Sequence, residues 1–276
     1  MLDVAVVTVN YKMRDKVVVM LRSLVRDLAG GSLRVQLIVV DNASGDGVAE
    51  VINHEFRNDS FRPIVIAAPK NVGFGRGNNI AIRRFEARYY FMANSDLLFL
   101  PEQLQAIERL YKFMERRLDI GIVAPRLELP DGNTQPSCMR FPGLFDQPLY
   151  RLGFHQRYPW AKRSVEHLHM SDFDHTRTQP IDWATGAALF IRGSWLREIG
   201  GFDERYFMYF EDCDLCRTFW SRGWPVYYKG DVMIRHGHER ASAKIPGLRA
   251  VVANPLTRVH LASWIRYTWK WRGKRI

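Results

Sequence analysis

Short apolar segments alternate with amphipathic ones through the first half of the chain, which is typical of a mostly parallel sheet covered by helices. The apolar runs are rich in valine, isoleucine and aromatic residues, as strands are. They predict strands over 4–9, 35–40, 64–67, 89–92 and 120–124. Helices are predicted over 14–28, from the glycine-rich loop at 71–79 to about Arg88, and from Pro101 onward.

The pattern weakens in the middle of the chain and then returns. Residues 129–180 mix proline, histidine, arginine and aromatic residues without a clear period, which predicts an irregular insert rather than a second domain. Beyond it regular patterning returns over 181–191, and we predict a helix carrying 211–215, strands at 226–228 and 232–234, and a helical tail over 255–276.

Composition is that of a globular protein. The chain has 276 residues, of which 47% are hydrophobic and 13% aromatic, and this excludes collagen-like and disordered chains. No stretch is long and apolar enough to predict a membrane-spanning helix, and the first residues predict a strand rather than a secretory signal, so we expect a cytosolic protein. Cys138, Cys213 and Cys216 are too few for a disulfide framework. Because the last two fall within a predicted helix, packing is a better interpretation of them than a zinc or redox pair.

The positive charge is concentrated in the tail. The net charge is +11, and residues 235–276 contribute +9 of it, from ten lysines and arginines against one acid. In the tail helix one face carries Leu261, Trp264, Tyr267 and Trp271, the other side carries Arg258, Arg266, Lys270 and Lys274, and Ile265 and Trp269 break the segregation. Two interpretations stay open: a terminal helix packed on the domain, or an interfacial helix on anionic lipid. Nucleic-acid binding is suggested only by the isoelectric point of 9.8, and no recognised readout motif supports it.

Polar residues follow three predicted strands, at 10–11, 41–42 and 94–96. Ligands of open α/β sheets bind beyond the carboxyl ends of the strands, so we expect a site at this edge. The loop at 71–79 has neither the glycine spacing of a dinucleotide fingerprint nor the Lys-Ser/Thr of a phosphate loop. Asp96 is a hard oxygen ligand of the kind that Mg²⁺ or Mn²⁺ needs between two phosphates, although a helix cap is the simpler interpretation.

A second acidic group follows the aromatic run 206–210. Glu211, Asp212 and Asp214 open a predicted helix, where carboxylates often only pair with the helix dipole. Exclusion of water by the aromatic residues would raise the pKa of Asp212 towards that of a general base. His236 and His238 form a weak candidate metal pair.

Eight ordered segments resemble family 2 glycosyltransferases, and within them the rhamnosyltransferase-like branch. The resemblance implies a GT-A fold, with 1–125 as the nucleotide-sugar-binding half, 126–240 as the acceptor-binding and catalytic half, and 241–276 as a basic, aromatic tail. The matching segments are VVTVNY (6–11), IVVDNASGDG (38–47), NVGFGRGNN (71–79), NSD (94–96), GIVAPRLELPDGNTQPSCMRFP (121–142), IDWATGAALFIR (181–192), GGFDERYFMYFEDCDLCR (200–217) and IRHGHERAS (234–242).

The resemblance also implies residue roles. Asp212 corresponds to the catalytic base, and Asp96 to the metal-binding end of an acidic motif whose first acid is Asn94 here. His236 is a further metal or diphosphate ligand, with His238 the weaker candidate. The remaining implied roles are donor contacts for Asn10, Asp41, Asn79 and Asn94, and an acceptor or sugar site for Trp183, Gly186, Ala187 and Glu211.

The implied reaction is an inverting, Mg²⁺- or Mn²⁺-dependent transfer of L-rhamnose from dTDP-L-rhamnose to a lipid-linked cell-surface glycan. The implied place is the inner face of the cell membrane. A UDP- or GDP-linked donor, or a nucleotide-sugar-binding module without turnover, remains an alternative. The sugar, acceptor, linkage and oligomeric state are open.

Overall fold

A computed structural model describes residues 1–143, 146, 154–237 and 254–274 of the chain. His238 and residues 241–253, for which the sequence made predictions, lie outside these ranges. The strands are β1 (Leu2–Asn10), β2 (Val35–Asp41), β3 (Ile64–Ala67), β4 (Ala87–Ala93), β5 (Leu97–Leu98), β6 (Ile122–Glu128), β7 (Cys138–Met139), β8 (Thr178–Pro180), β9 (Trp183–Ala184), β10 (Ala188–Arg192) and β11 (Val226–His236). The helices are α1 (Arg14–Leu28), α2 (Val48–Glu55), α3 (Phe74–Arg84), α4 (Ala106–Arg116), α5 (Phe154–Arg157), α6 (Pro159–Leu168), α7 (Gly193–Glu198), α8 (Glu211–Ser221) and α9 (Pro255–Trp271).

One mixed sheet dominates the described part of the chain. Its nine strands include the order β3-β2-β1-β4-β10-β6-β11-β5, with β8 also paired to β11. The strands β1, β2, β3, β4, β6 and β11 run parallel, whereas β10 is antiparallel to both of its neighbours, β4 and β6. The parallel strands therefore end at one edge of the sheet, and β10 begins at that same edge. The mixed α/β architecture confirms the predicted fold class.

Helices cover both faces of this sheet. In β1, Val4 and Val6 pack on one side with Met20 of α1, while Ala5 and Val7 pack on the other side with α3. Burial on both faces explains why the sequence shows continuous apolar runs here instead of alternating apolar and polar residues.

Several predicted boundaries are wrong, for local reasons. Pro101 opens a 3-10 turn over Pro101–Gln103, and α4 begins only at Ala106 because Gln105 adopts a left-handed conformation with φ 64°. Helix α3 ends at Arg84 because the chain enters β4 at Ala87. The helices α2 and α7 were not predicted, since eight and six residues are too short to show a helical period.

The predicted irregular insert contains regular structure. Helices α5 and α6 and the short strands β7 and β8 lie within it. The two strands predicted over 226–228 and 232–234 are one strand, β11, with a register shift between Lys229 and Met233. The polar pair Gly230-Asp231 has the composition of a turn, and here it forms a β-bulge.

The C-terminal helix α9 packs on the domain. Tyr267 and Trp271 are buried in a small cluster with Tyr206, Phe210 and Cys213. The predicted apolar face is wrong at Leu261, which is 39% exposed. All three cysteines are buried and free, which confirms the packing interpretation. No helix in the described ranges has the length and apolarity needed to cross a bilayer.

Candidate active site

Asn10 organises the loops that follow β1 and β2. It is fully buried, and its Nδ2 lies 3.2 Å from Asp41 Oδ1, 2.9 Å from Ser44 Oγ and 3.1 Å from Asp46 Oδ2. Its Oδ1 accepts the backbone N–H of Met13 at 3.2 Å. Both polar atoms of Asn10 are thus engaged within the protein, and the Asp41 side chain beside it is partly buried. The sequence did not single out Ser44 or Asp46, although both lie in the polar turn after β2.

A second polar group lies where β4 and β11 end. His236 Nε2 is 3.1 Å from Asp96 Oδ1 and 3.5 Å from Asn94 Nδ2, and the His236 side chain is 5% exposed. On the other side of the ring, Nδ1 is 2.8 Å from Gln135 Oε1. A carbonyl oxygen accepts a hydrogen bond, so Gln135 holds a proton on Nδ1, while Nε2 faces Asp96 and donates to it when the ring is doubly protonated. Sequence reasoning missed Gln135, which lies in a matched segment but far from His236 along the chain.

The donor set of this group fits a divalent cation that is shared with a diphosphate. A carboxylate and an imidazole oriented by an outer hydrogen bond are common metal ligands. The group is small: among the residues that the structure describes, at this edge as elsewhere, no three His, Cys, Asp or Glu side chains lie closely enough together to hold an ion. If a cation binds here, Asp96 and His236 would supply two of its ligands, and phosphate oxygens and water the rest.

Asp212 occupies the first turn of α8, next to the start of β10. Its Oδ2 accepts the backbone N–H of Gly186 at 2.8 Å, and its Oδ1 accepts the N–H of Cys213 at 2.8 Å. The next residue, Ala187, accepts the backbone N–H of Asn94 at 2.9 Å. Two hydrogen bonds therefore connect the end of β4 to the Asp212 carboxylate through the segment 186–187. The antiparallel direction of β10 is what brings this segment to the edge where the parallel strands end.

The chain enters α8 through a constrained segment. Tyr209 and Phe210 both have left-handed backbone conformations, with φ 69° and 67°. Each such non-glycine residue costs of order 1 kcal/mol or more and persists only where surrounding contacts impose it. Those contacts include a 5.2 Å approach of the Phe210 and Tyr267 rings and a 2.8 Å hydrogen bond from Ser263 to the Met208 carbonyl, both from α9.

The geometry gives two other predicted site residues, Asn79 and Trp183, internal partners, and leaves one oxygen of a third, Glu211, without one. Asn79 is buried, donates to the Phe202 carbonyl at 2.8 Å and accepts the Phe202 N–H at 2.8 Å, so it anchors the turn before α8. Trp183 donates from its indole to the Arg140 carbonyl at 2.9 Å. Glu211 is 5% exposed, and its Oε2 has no hydrogen-bond partner within the described ranges.

Burial and neighbouring charges give the acidic side chains at this edge different pKa values. Burial raises the pKa of Asp212, against the lowering effect of the two backbone N–H groups, and raises the pKa of Glu211 well above its usual value. Burial alone would also raise the pKa of Asp96, but the hydrogen bond from His236 and its charge lower it below the usual value. The edge thus holds an anionic Asp96 and an Asp212 that binds a proton more readily than an exposed aspartate.

Solved structures share this architecture at low sequence identity. GalNAc-T7 with UDP, GalNAc and Mn²⁺ has a TM-score of 0.64 and 11% identity, over 99% of this chain and 49% of that chain. TarS 1–349 of S. aureus in complex with UDP has a TM-score of 0.56 and 15% identity, over 86% of this chain and 61% of that chain. The chain thus spans less than two thirds of either structure. The shared architecture is that of the GT-A glycosyltransferases.

The family follows from the sequence match. The model of glycosyl transferase family 2 matches residues 3–178, and the chain belongs to this family. The N-acetylglucosaminyl-diphospho-decaprenol L-rhamnosyltransferase of Mycobacterium tuberculosis is 27% identical over 253 residues, which are 87% of this chain and 78% of the relative. Rhamnosyltransferase WbbL of Escherichia coli strain K12 is 24% identical over 75% of both chains. The protein is a hexosyltransferase, and the predicted resemblance to rhamnosyltransferases is confirmed.

Proposed function

We propose that this protein transfers L-rhamnose from dTDP-L-rhamnose to a lipid-linked glycan of the cell surface, with inversion at the anomeric carbon. The observation that carries the proposal is the Asp212 carboxylate, fixed 2.8 Å from the Gly186 N–H at the ligand-binding edge of a family 2 chain. The donor sugar is supported by both rhamnosyltransferase relatives, and the acceptor class by the mycobacterial relative, which acts on N-acetylglucosaminyl-diphospho-decaprenol.

The donor would lie along the carboxyl ends of β1, β2 and β4. Asp41 would contact the nucleoside, held in place by Asn10, and Asn79 would shape the diphosphate and sugar region through the turn that it anchors. Asp96 and His236, with Asn94 beside them, would face the diphosphate together with Mg²⁺ or Mn²⁺. The cation supplies positive charge to the leaving diphosphate.

Asp212 would act as the base. It accepts the proton of an acceptor hydroxyl while the hydroxyl oxygen forms a bond to the anomeric carbon and the bond to the diphosphate breaks. The Gly186 N–H holds the carboxylate in one orientation, and the raised pKa brings it closer to that of a useful base. The acceptor hydroxyl would lie against Trp183, Gly186 and Ala187, with the buried Glu211 behind them. A single attack from the face opposite the diphosphate inverts the configuration.

The test is a transfer assay with dTDP-L-rhamnose, Mg²⁺ or Mn²⁺, and a polyprenyl-diphosphate-linked N-acetylglucosamine acceptor. We expect Asp212→Asn to lower kcat by ~10²–10⁴-fold, because general-base catalysis is worth about that much. Asp119→Asn is the matched control: Asp119 is 57% exposed and precedes β6, at the opposite edge of the sheet. Full activity of Asp212→Asn would exclude Asp212 as the base.

Donor choice is tested in the same assay. Transfer from UDP- or GDP-linked sugars at a higher kcat/KM than from dTDP-L-rhamnose would replace the proposed donor. Donor-dependent thermal stabilisation without transfer to any acceptor would favour a binding module. The anomeric configuration of the product, read by NMR, tests inversion.

The proposal includes a position at the inner face of the cell membrane. A lipid-linked acceptor is confined to a bilayer, and the basic tail that contains α9 carries most of the net positive charge. The protein would therefore bind an anionic membrane surface peripherally.

A further inference from the structure

Helix α9 exposes an apolar stripe that its sequence pattern did not predict. Leu261, Ile265 and Trp269 are 39%, 54% and 75% exposed. Their spacing of four residues places them on one face of the helix. The opposite face packs through Tyr267 and Trp271, so the domain fixes which side of α9 turns outward.

Contacts with the domain hold α9 in this orientation. Lys270 lies 2.6 Å from Asp214 and 2.9 Å from Asp203, and the indole of Trp271 donates to Asp214 at 2.7 Å. The hydroxyl of Ser263 donates to the Met208 carbonyl at 2.8 Å. The stripe is therefore presented by a helix that is anchored near its middle, at Ser263, and near its end, at Lys270 and Trp271.

Arginines border the stripe. Arg258 lies three residues before Leu261, Arg266 follows Ile265, and Arg272 comes three residues after Trp269 with its guanidinium 6.0 Å from the indole ring. Arg258, Arg266 and Arg272 are exposed, and α9 contains no aspartate or glutamate. Exposed leucine, isoleucine and tryptophan among arginines, without acids, match an anionic bilayer, where apolar groups enter the acyl boundary and arginines remain at the phosphates.

We propose that α9 docks the enzyme on an anionic phospholipid bilayer by inserting Leu261, Ile265 and Trp269, while Arg258, Arg266 and Arg272 contact the lipid phosphates. This assigns docking to Ile265 and Trp269, which break the predicted amphipathic pattern, together with Leu261 from the predicted apolar face. The other residues of that predicted face, Trp264, Tyr267 and Trp271, face the domain. The inference rests on the proposed function for its biological purpose. Lipid binding is measured without donor or acceptor, so its failure is distinguishable from failure of transfer.

The test is flotation of the full chain with phosphatidylcholine vesicles, with and without phosphatidylglycerol. The wild-type chain is expected to float with the vesicles that contain phosphatidylglycerol, and to stay at the bottom of the gradient when only neutral vesicles are present. The variant Leu261→Ser/Ile265→Ser/Trp269→Ser is expected to lower the partition coefficient on the order of 10²-fold, because it removes the apolar area that would leave water. Arg258→Gln/Arg266→Gln/Arg272→Gln is expected to lower it about tenfold or more on anionic vesicles only.

Trp160→Ser is the matched control. Trp160 is 55% exposed on α6 and has Arg157, Lys162 and Arg163 nearby in the chain, but it lies outside the stripe. It should float as the wild type does, and circular dichroism should show all variants folded, since the substituted side chains are exposed.

Three results would overturn the proposal. They are unchanged flotation of the stripe variant, loss of flotation in Trp160→Ser alone, and equal binding of the wild type to neutral and anionic vesicles. A dimer in light scattering that the stripe variant converts to a monomer would assign the stripe to a second copy of the chain instead.

Discussion

At the residue scale, the geometry around Asp212 depends on Gly186, which has no side chain. A Cβ at Gly186 would lie 3.1 Å from Phe74 Cε1 and 3.4 Å from Asp212 Cβ. Because glycine has no Cβ, the backbone of Gly186 fits between Phe74 and Asp212, and its N–H can approach the carboxylate. A small displacement of a catalytic group has a large effect on the rate and a small one on the fold.

Gly186→Ala should therefore lower kcat about 10- to 100-fold while the free energy of unfolding changes by only ~1 kcal/mol. Transfer kinetics and urea unfolding measure the two effects. Gly31→Ala is the control, since its Cβ would meet a side-chain oxygen of Glu108 at the same 3.1 Å but lies in the loop before β2. Equal loss of activity in both variants would contradict the assignment.

Asp27 is a buried acid outside the candidate site. Its carboxylate accepts the backbone N–H groups of Ala106 at 2.9 Å and Ile107 at 3.3 Å, at the start of α4. Burial raises the pKa of Asp27 to about 6, although the N–H groups oppose the shift. The folded state thus binds this proton more tightly than the unfolded state, whose pKa lies near 3.8.

The sign of the pH effect follows. As pH rises through the window from about 4 to about 6, the unfolded chain releases this proton first, so ionisation of Asp27 lowers the free energy of unfolding by up to ~3 kcal/mol. Asp27→Asn removes this contribution. As pH rises from about 4 to about 6, the wild type should therefore lose stability relative to Asp27→Asn. Urea unfolding at several pH values measures this difference in the free energy of unfolding. A difference that does not change with pH would contradict the raised pKa.

At the element scale, α9 and α8 are joined by a buried ionic group. Asp214 is 1% exposed and has Lys270 at 2.6 Å, the Trp271 indole at 2.7 Å and the Tyr206 hydroxyl at 3.3 Å. Asp214 lies two residues from Asp212 on the same helix. Because α9 also contacts the strained residues 209–210, the C-terminal helix supports the segment that carries the candidate base.

Removal of one partner from this group should be costly. Lys270→Met leaves Asp214 buried without its cation and should lower the free energy of unfolding by ~3 kcal/mol or more. The double variant Asp214→Asn/Lys270→Met should recover part of that loss, because no uncompensated charge remains. Lys162→Met, which removes an exposed cation on α6, should change stability by less than ~0.5 kcal/mol. A loss no larger in Lys270→Met than in Lys162→Met would exclude the ionic group as a support.

At the scale of the whole molecule, the chain order of the strands was largely predictable. Buried parallel strands are continuous apolar runs, and β3 and α1 have the predicted bounds because each is bordered by polar or turn-forming residues. The register shift in β11 was not predictable, since a bulge and a turn have the same composition. Short helices such as α7 gave no period to detect.

The location of the candidate site at the strand ends could be predicted from the sequence. The individual contacts between its side chains were less predictable. Sequence position predicts that Asn10, Asp41 and Asp96 share an edge, because parallel strands end together. It does not predict the hydrogen bond from Gly186 to Asp212, which depends on the antiparallel insertion of β10 between β4 and β6. Nor does it predict Gln135 beside His236, since these residues are 101 positions apart.

The sequence by itself determined the α/β class, the family and the residue types at the strand ends, because local apolar runs and ordered motifs are properties of neighbouring positions. Only the tertiary structure decided which polar atoms meet and which face of α9 is exposed. The physical reason is that helical spacing defines the faces of a helix, whereas the partner that buries one of them comes from distant parts of the chain. Tyr267 packs on Phe210 and the Trp271 indole donates to Asp214, so this side of α9 is buried. Leu261, Ile265 and Trp269 therefore face outward.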